Sequence, residues 1–155
     1  MARTARFGAG AAVVLGVALT TVGCTPSSQH PTVSASESQA WGERMDVVLR
    51  DPSGLGGASG LTPGSAELGV TERGDYELVA ACIGVDVVHV TAKAGGRVLA
   101  DTDVPCGATV TVPMAKAGSN PLEVRATAPG GQAGGAWWVG INHAGWKQSG
   151  AVLLR

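Results

Sequence analysis

Five stretches between Tyr76 and Thr127 alternate apolar and polar residues with a period of two. Tyr76, Leu78, Ala80 and Cys82 share one parity. Val88, Val90 and Ala92 alternate with His89, Thr91 and Lys93. Val98, Ala100, Thr102, Val104 and Cys106 alternate with Arg97, Asp101 and Asp103. Val110, Val112 and Met114 alternate with Thr109 and Thr111, and Leu122, Val124 and Ala126 with Glu123, Arg125 and Thr127. Successive side chains of an extended chain point to opposite faces, so each stretch is a strand with one buried face. The breaks carry turn chemistry: Ala94-Gly95-Gly96, Cys106-Gly107, Gly118-Ser119-Asn120-Pro121 and Pro129-Gly130-Gly131. No helical period separates the strands. The expected fold is therefore all-β, an antiparallel β-sandwich rather than a set of βαβ units.

A different pattern precedes the strands. Ser36 followed by Gln39 fits a capping box, and Trp41, Met45, Val48 and Leu49 fall on one helical face. A short N-terminal amphipathic helix over residues 36–50 follows, stopped by Asp51-Pro52-Ser53-Gly54. The Gly-rich stretch from Gly54 through Gly64 reads as a loop, with β signal resuming at Ser65. The chain holds one Phe and one Tyr against four Trp, so its core must be Val, Leu, Ala and Trp. Small side chains bury little area each, which makes any covalent staple matter more.

The first residues have another purpose. Met1 to Phe7 carry two arginines and no acid, and Gly8 to Val22 are uncharged and mostly apolar. Small residues and a cysteine close the segment, Thr21-Val22-Gly23-Cys24. This is the layout of a secretory signal. Its apolar run, about 15 residues, is shorter than the roughly 20 needed to span a bilayer as a helix. Thr21-Val22-Gly23-Cys24 resembles the lipobox of bacterial lipoproteins, although Thr21 stands where that motif usually has Leu. The resemblance implies diacylglyceryl transfer to the Cys24 thiol and cleavage before it. It places the protein on the extracytoplasmic face of the cell membrane, held by lipid. The expected organisation is a signal peptide (1–23), a lipidated tether (24–35) rich in Ser, Thr and Pro, and one domain (36–155). The whole resembles small actinobacterial surface lipoproteins. With Cys24 given to lipid, Cys82 and Cys106 remain as an even pair in an oxidising compartment, and a disulfide is expected between them. Both fall on inward-facing parity.

Function is less legible. The formal net charge is −1, and removal of Arg3 and Arg6 makes it more negative. No basic field suits nucleic acid. The densest feature is Trp137-Trp138-Val139-Gly140-Ile141-Asn142-His143. Trp137, Val139 and Ile141 make a core face, which turns Trp138, Gly140 and Asn142 to the other side. An exposed Trp138 ring with the Asn142 amide beside it would suit a sugar; under the N-terminal helix or a loop, Trp138 would be core instead. His30, His89 and His143 lack metal-ligand spacing, so no metal or other cofactor is expected. Gly-x-Ser-x-Gly, Walker and His-Glu-x-x-His motifs are absent. Asp101 and Asp103 share a face but read as solvated edge charges. Three readings follow. The first is a non-enzymatic surface module with a protein or envelope-polysaccharide partner. The second is a carbohydrate-binding module using Trp138 and Asn142. The third is a small hydrolase with His89 or His143 as base, which requires a Ser, Asp or Glu within hydrogen-bond reach.

Overall fold

A computed structural model describes residues 32–69, 72–116 and 119–147. The expected signal segment, Cys24 and His30 lie outside these residues. Among the described residues the chain is mostly β, with one α-helix, α1 (Ala35–Leu49), and eight strands. They are β1 (Gly56–Leu61), β2 (Gly64–Leu68), β3 (Gly74–Ile83), β4 (Val87–Ala94), β5 (Arg97–Pro105), β6 (Thr109–Lys116), β7 (Leu122–Thr127) and β8 (Ala136–His143). They form two antiparallel four-stranded sheets, ordered β1-β8-β3-β6 and β2-β7-β4-β5. The chain changes sheet between β1 and β2 at Thr62-Pro63, a cis peptide.

The period-two parity decides the core. Tyr76, Leu78, Ala80 and Cys82 of β3 and Trp137, Val139 and Ile141 of β8 meet Val88, Val90, Ala92, Val104, Val124 and Ala126 of the other sheet in one hydrophobic cluster. Fully burying an aliphatic side chain contributes about 1.5–3 kcal/mol. Cys82 and Cys106 form the expected disulfide, with Cα atoms 4.6 Å apart, and tie β3 of one sheet to the end of β5 in the other. The bond closes a loop of 24 residues; chain entropy alone assigns such a loop about 3–4 kcal/mol.

Three local expectations need correction. The helix begins at Ala35 rather than after Ser36. Its N-cap is Ser34, whose hydroxyl accepts from the Glu37 amide at 3.3 Å while the Glu37 carboxylate accepts from the Ser34 amide at 2.8 Å. The Ser-x-x-Glu frame competes with Ser-x-x-Gln two residues later, and the carboxylate is the stronger acceptor. The Gly-rich stretch is not all loop. Gly56–Leu61 pairs with β8 along its length, Ala58 opposite Val139 and Ser59 opposite Trp138. Glycine removed the β-branched signal by which a strand is recognised. Finally, Val98 is 49% exposed rather than inward. The β4–β5 register shifts there: Ala92 faces Ala100 but Lys93 faces Val98. Leu99 is the extra residue of this bulge and packs against the core in place of Val98.

A second cluster lies on the opposite face of the first sheet. Trp41, Met45 and Leu49 of α1, spaced i, i+4, i+8, cover Val79, Ala81, Ala136 and Trp138. The close approach needs glycine on the helix. A Cβ at Gly42 would lie 2.5 Å from the Ser59 hydroxyl on β1. Strands β3 and β8 are consequently covered on both faces, whereas among the described residues β2-β7-β4-β5 carries no helix on its outer side.

All strands run between two ends of the molecule. Thr32 enters at one, where the Val33 amide donates to the Gly134 carbonyl at 2.8 Å. The β1–β2, β3–β4, β5–β6 and β7–β8 connections are at that end. The α1–β1, β2–β3, β4–β5 and β6–β7 connections are at the other, with His143. Among the described residues no helix is long and apolar enough to cross a membrane.

Candidate functional site

The sequence singles out Trp138 and Asn142, and the structure brings them together on one face of β8. Their direction is as expected, but their surroundings are not those of a sugar platform. Trp138 is 1% exposed and Asn142 is 0% exposed. Trp138 lies under α1, and only its edge contributes to a shallow groove between Gly42, Val47, Gly57 and Ser59. A ring that stacks on a sugar must offer a free face, and this ring is buried in the cluster that α1 forms on the sheet. Gly140 explains part of the seat: a Cβ there would clash with the edge of the Trp138 ring at Cη2 and Cζ2. Assignment of Trp138 as an exposed ligand contact is therefore corrected, because the helix already occupies that side of the sheet.

Asn142 has an equally definite role. Its Nδ2 donates to the Leu49 carbonyl at 2.9 Å, and its Oδ1 accepts from the Asp51 amide at 2.9 Å. Helix termini leave carbonyls unpaired; here a strand side chain satisfies one of them and also pins the chain leaving the helix. Asn142 is thus a clasp between α1 and β8 rather than a free amide awaiting a ligand.

Asp51 extends the clasp into a polar network that sequence reasoning did not find. It is buried, at 4% exposure. Its Oδ1 accepts from the Ser53 amide at 2.9 Å and the Ser53 hydroxyl at 2.7 Å. Its Oδ2 lies 3.0 Å from His143 Nδ1 and accepts from the His143 amide at 3.4 Å. Burial pushes the Asp51 carboxyl up, but the hydrogen bonds from Ser53 and His143 outweigh it and hold the pKa at about 2. The His143 ring also meets Tyr76, centroid to centroid at 5.8 Å and tilted by 47°. Asp51-Pro52-Ser53-Gly54 is legible in the sequence as a helix stop. The pairing of Asp51 with a residue 92 positions later is not.

The second histidine lies on the uncovered sheet. His89 Nδ1 is 2.8 Å from Asp103 and Nε2 is 3.1 Å from Asp101. The two acids are the solvated edge charges expected, 53% and 73% exposed on the edge strand β5, and both reach one imidazole on the neighbouring β4. Such exposed pairs contribute roughly 0–1 kcal/mol each. Beside this brace, His89, Thr91 and Lys93 of β4 and Glu123, Arg125 and Thr127 of β7 line a polar basin of about 360 Å³. Cross-strand pairing sets the basin's order: His89 faces Thr127, Thr91 faces Arg125 and Lys93 faces Glu123.

Both histidines thus have a carboxylate in reach, as the hydrolase reading requires, but neither pair is arranged as nucleophile and base. The Ser53 hydroxyl donates to Asp51 Oδ1, on the carboxylate rather than on the imidazole. In a Ser–His–Asp arrangement the imidazole stands between hydroxyl and carboxylate. At His89 both ring nitrogens are engaged by acids. Among the described residues no group of three or more His, Cys, Asp or Glu is arranged to hold a metal ion. No protein-family model matches the chain, and no curated protein or solved structure matches it significantly.

Proposed function

We propose that this protein is a lipid-anchored, non-enzymatic interaction module of the cell envelope, built as a β-sandwich. Its partner face is the outer surface of β2-β7-β4-β5. The anchor is the lipid on Cys24. The sandwich reading is supported by the single cluster to which both sheets contribute and by the disulfide that joins them. The partner face is supported by one observation above the others. On the first sheet's outer face α1 covers β1, β8 and β3, while the second presents a mixed-charge basin with two hydroxyls, two cations and an acid in fixed cross-strand order. Side chains held on a sheet are already positioned, so less conformational entropy is lost on binding than from a flexible loop. The mixed charge fits a polar protein or polysaccharide rather than a polyanion.

A photo-crosslinking residue placed at Thr91 tests the face in intact cells, with Thr111, exposed on the other sheet, as control. The expected result is a discrete adduct at Thr91 that Arg125→Glu abolishes, with no matching adduct at Thr111. Absence of the Thr91 adduct, or an adduct indifferent to Arg125→Glu, overturns the assignment. The anchor is tested separately by metabolic labelling with an alkynyl fatty acid: incorporation is expected in the wild type and none in Cys24→Ala.

A further inference from the structure

The two ends of the molecule differ in a way the fold does not require. At the Thr32 end the described connections are residues 62–63, 84–86, 106–108 and 128–135, and Asp86 is the single charged residue within them. They consist mainly of Gly, Ala, Pro and Thr. The connections at the His143 end carry Arg50, Asp51, Glu72 and Arg73, and Lys147 follows β8 there. A largely apolar groove of about 410 Å³ also opens at the Thr32 end, between Val33, Ala40, Trp41 and Ile83, with Arg44 and Glu37 among its other walls. Trp41 is 1% exposed, and its indole Nε1 is the buried side-chain donor left without a partner among the described residues. Groups of that kind normally have one.

We propose that the Thr32 end is a membrane-contacting surface, resting on the headgroup layer of the bilayer that holds the Cys24 lipid, so that the domain stands end-on with His143 outermost. This rests on the lipid-anchor reading above. Three considerations converge on it. The chain enters the domain at this end, and the Val33–Gly134 hydrogen bond fixes the point of entry. Thr32 lies eight chain steps from Cys24, which allows at most about 28 Å even when fully extended and about 16 Å on average for a flexible coil. The loops nearest the lipid are small and almost uncharged, so they approach the headgroups with little desolvation of charge. The groove then offers apolar wall to the interface. The eight residues of β8 put about 25 Å between the two ends, so the orientation also lifts the polar basin clear of the membrane.

The experiment uses the lipidated full-length protein in phosphatidylglycerol–phosphatidylethanolamine vesicles containing a headgroup-nitroxide lipid. A fluorophore is placed on Gln132→Cys, at the Thr32 end, or on Ser119→Cys, at the other. Quenching of the Gln132 label is expected to exceed that of the Ser119 label at least about threefold, given about 25 Å of strand between them. Equal or inverted quenching overturns the proposal while leaving the anchor intact. If the native protein does not sediment with the vesicles, the anchor reading has failed. The same chain coupled through Cys24 to a maleimide lipid then tests the surface by the same criterion. A variant with about 20 Gly/Ser residues inserted after Pro31 frees the domain to turn over. The asymmetry is expected to survive that insertion, and its loss would show that the end has no affinity for the bilayer.

Discussion

Replacing Asn142 with Ala separates a structural clasp from a ligand contact. The side chain is 0% exposed and makes two hydrogen bonds of 2.9 Å to backbone groups of Leu49 and Asp51. Alanine leaves a carbonyl and an amide without partners in a site closed to water. Each such group costs about 1–3 kcal/mol, and the vacated volume adds to this. The sum is about 3–5 kcal/mol, softened if the segment after Leu49 opens to admit water. A Tm fall of about 10 °C or more is then expected. Urea unfolding followed by tryptophan fluorescence measures the loss, since Trp41 and Trp138 report the helix interface. Hydrogen exchange at the Asp51 amide distinguishes local opening from global unfolding: protection there should fall before protection in β4. Asn142→Leu, which restores volume but not hydrogen bonds, should recover less than half of the loss. A cost below about 1 kcal/mol for Asn142→Ala, well under the price of one orphaned buried group, would refute the clasp.

Three further outcomes follow from the same geometry. The Asp51 pKa is lowered from 3.8 to about 2 in the folded state; its contribution is therefore complete above about pH 4 and is lost as pH falls toward 2. The stability gap between wild type and Asp51→Asn, measured by urea titration across that window, should narrow as pH falls; a constant gap would contradict the network. Gly140→Ala forces the Trp138 ring off its seat, and overpacking of this kind costs about 1–3 kcal/mol, read as a lowered urea midpoint with a shifted Trp emission maximum. Opening the Cys82–Cys106 bond by paired Cys→Ala substitution should cost about 3–4 kcal/mol in the same titration, and reductant should then have no additional effect.

Much of the fold is legible in the sequence because the strands are half-buried. One-sided burial writes a period of two into the chain, and Leu122, Val124 and Ala126 show it without exception. The pattern weakens where burial is two-sided or where glycine substitutes for shape. β8 is buried on both faces, so Trp138 and Trp137 look alike in composition although one faces the other sheet and the other faces α1. β1 was invisible because Gly56, Gly57 and Gly60 carry no side chain to alternate. The bulge at Leu99 depends on the pairing of β4 with β5, a relation between strands that neither strand encodes by itself. The Asp51–His143 contact is less legible still. Its partners are 92 residues apart and meet only because β8 returns beside the helix exit. The basin on the second sheet was present as outward parity in two strands, but the strand order that places β7 beside β4 was not.

The position of α1 has a mechanical consequence. A pull applied at Thr32 meets the Val33–Gly134 bond first and then the helix, loaded from its N-terminal end in a peeling geometry. Peeling breaks contacts one turn at a time, Trp41 before Met45 before Leu49, and needs far less force than shearing strands past one another. The Asn142 and Asp51 clasp sits at the last turn and arrests the peel where the chain passes into β1. The two sheets beyond it are stapled by Cys82–Cys106. The helix therefore acts as a yielding element in series with a stiff body: a tug on the N-terminal segment lengthens the molecule by one helix before it threatens the β2-β7-β4-β5 sheet.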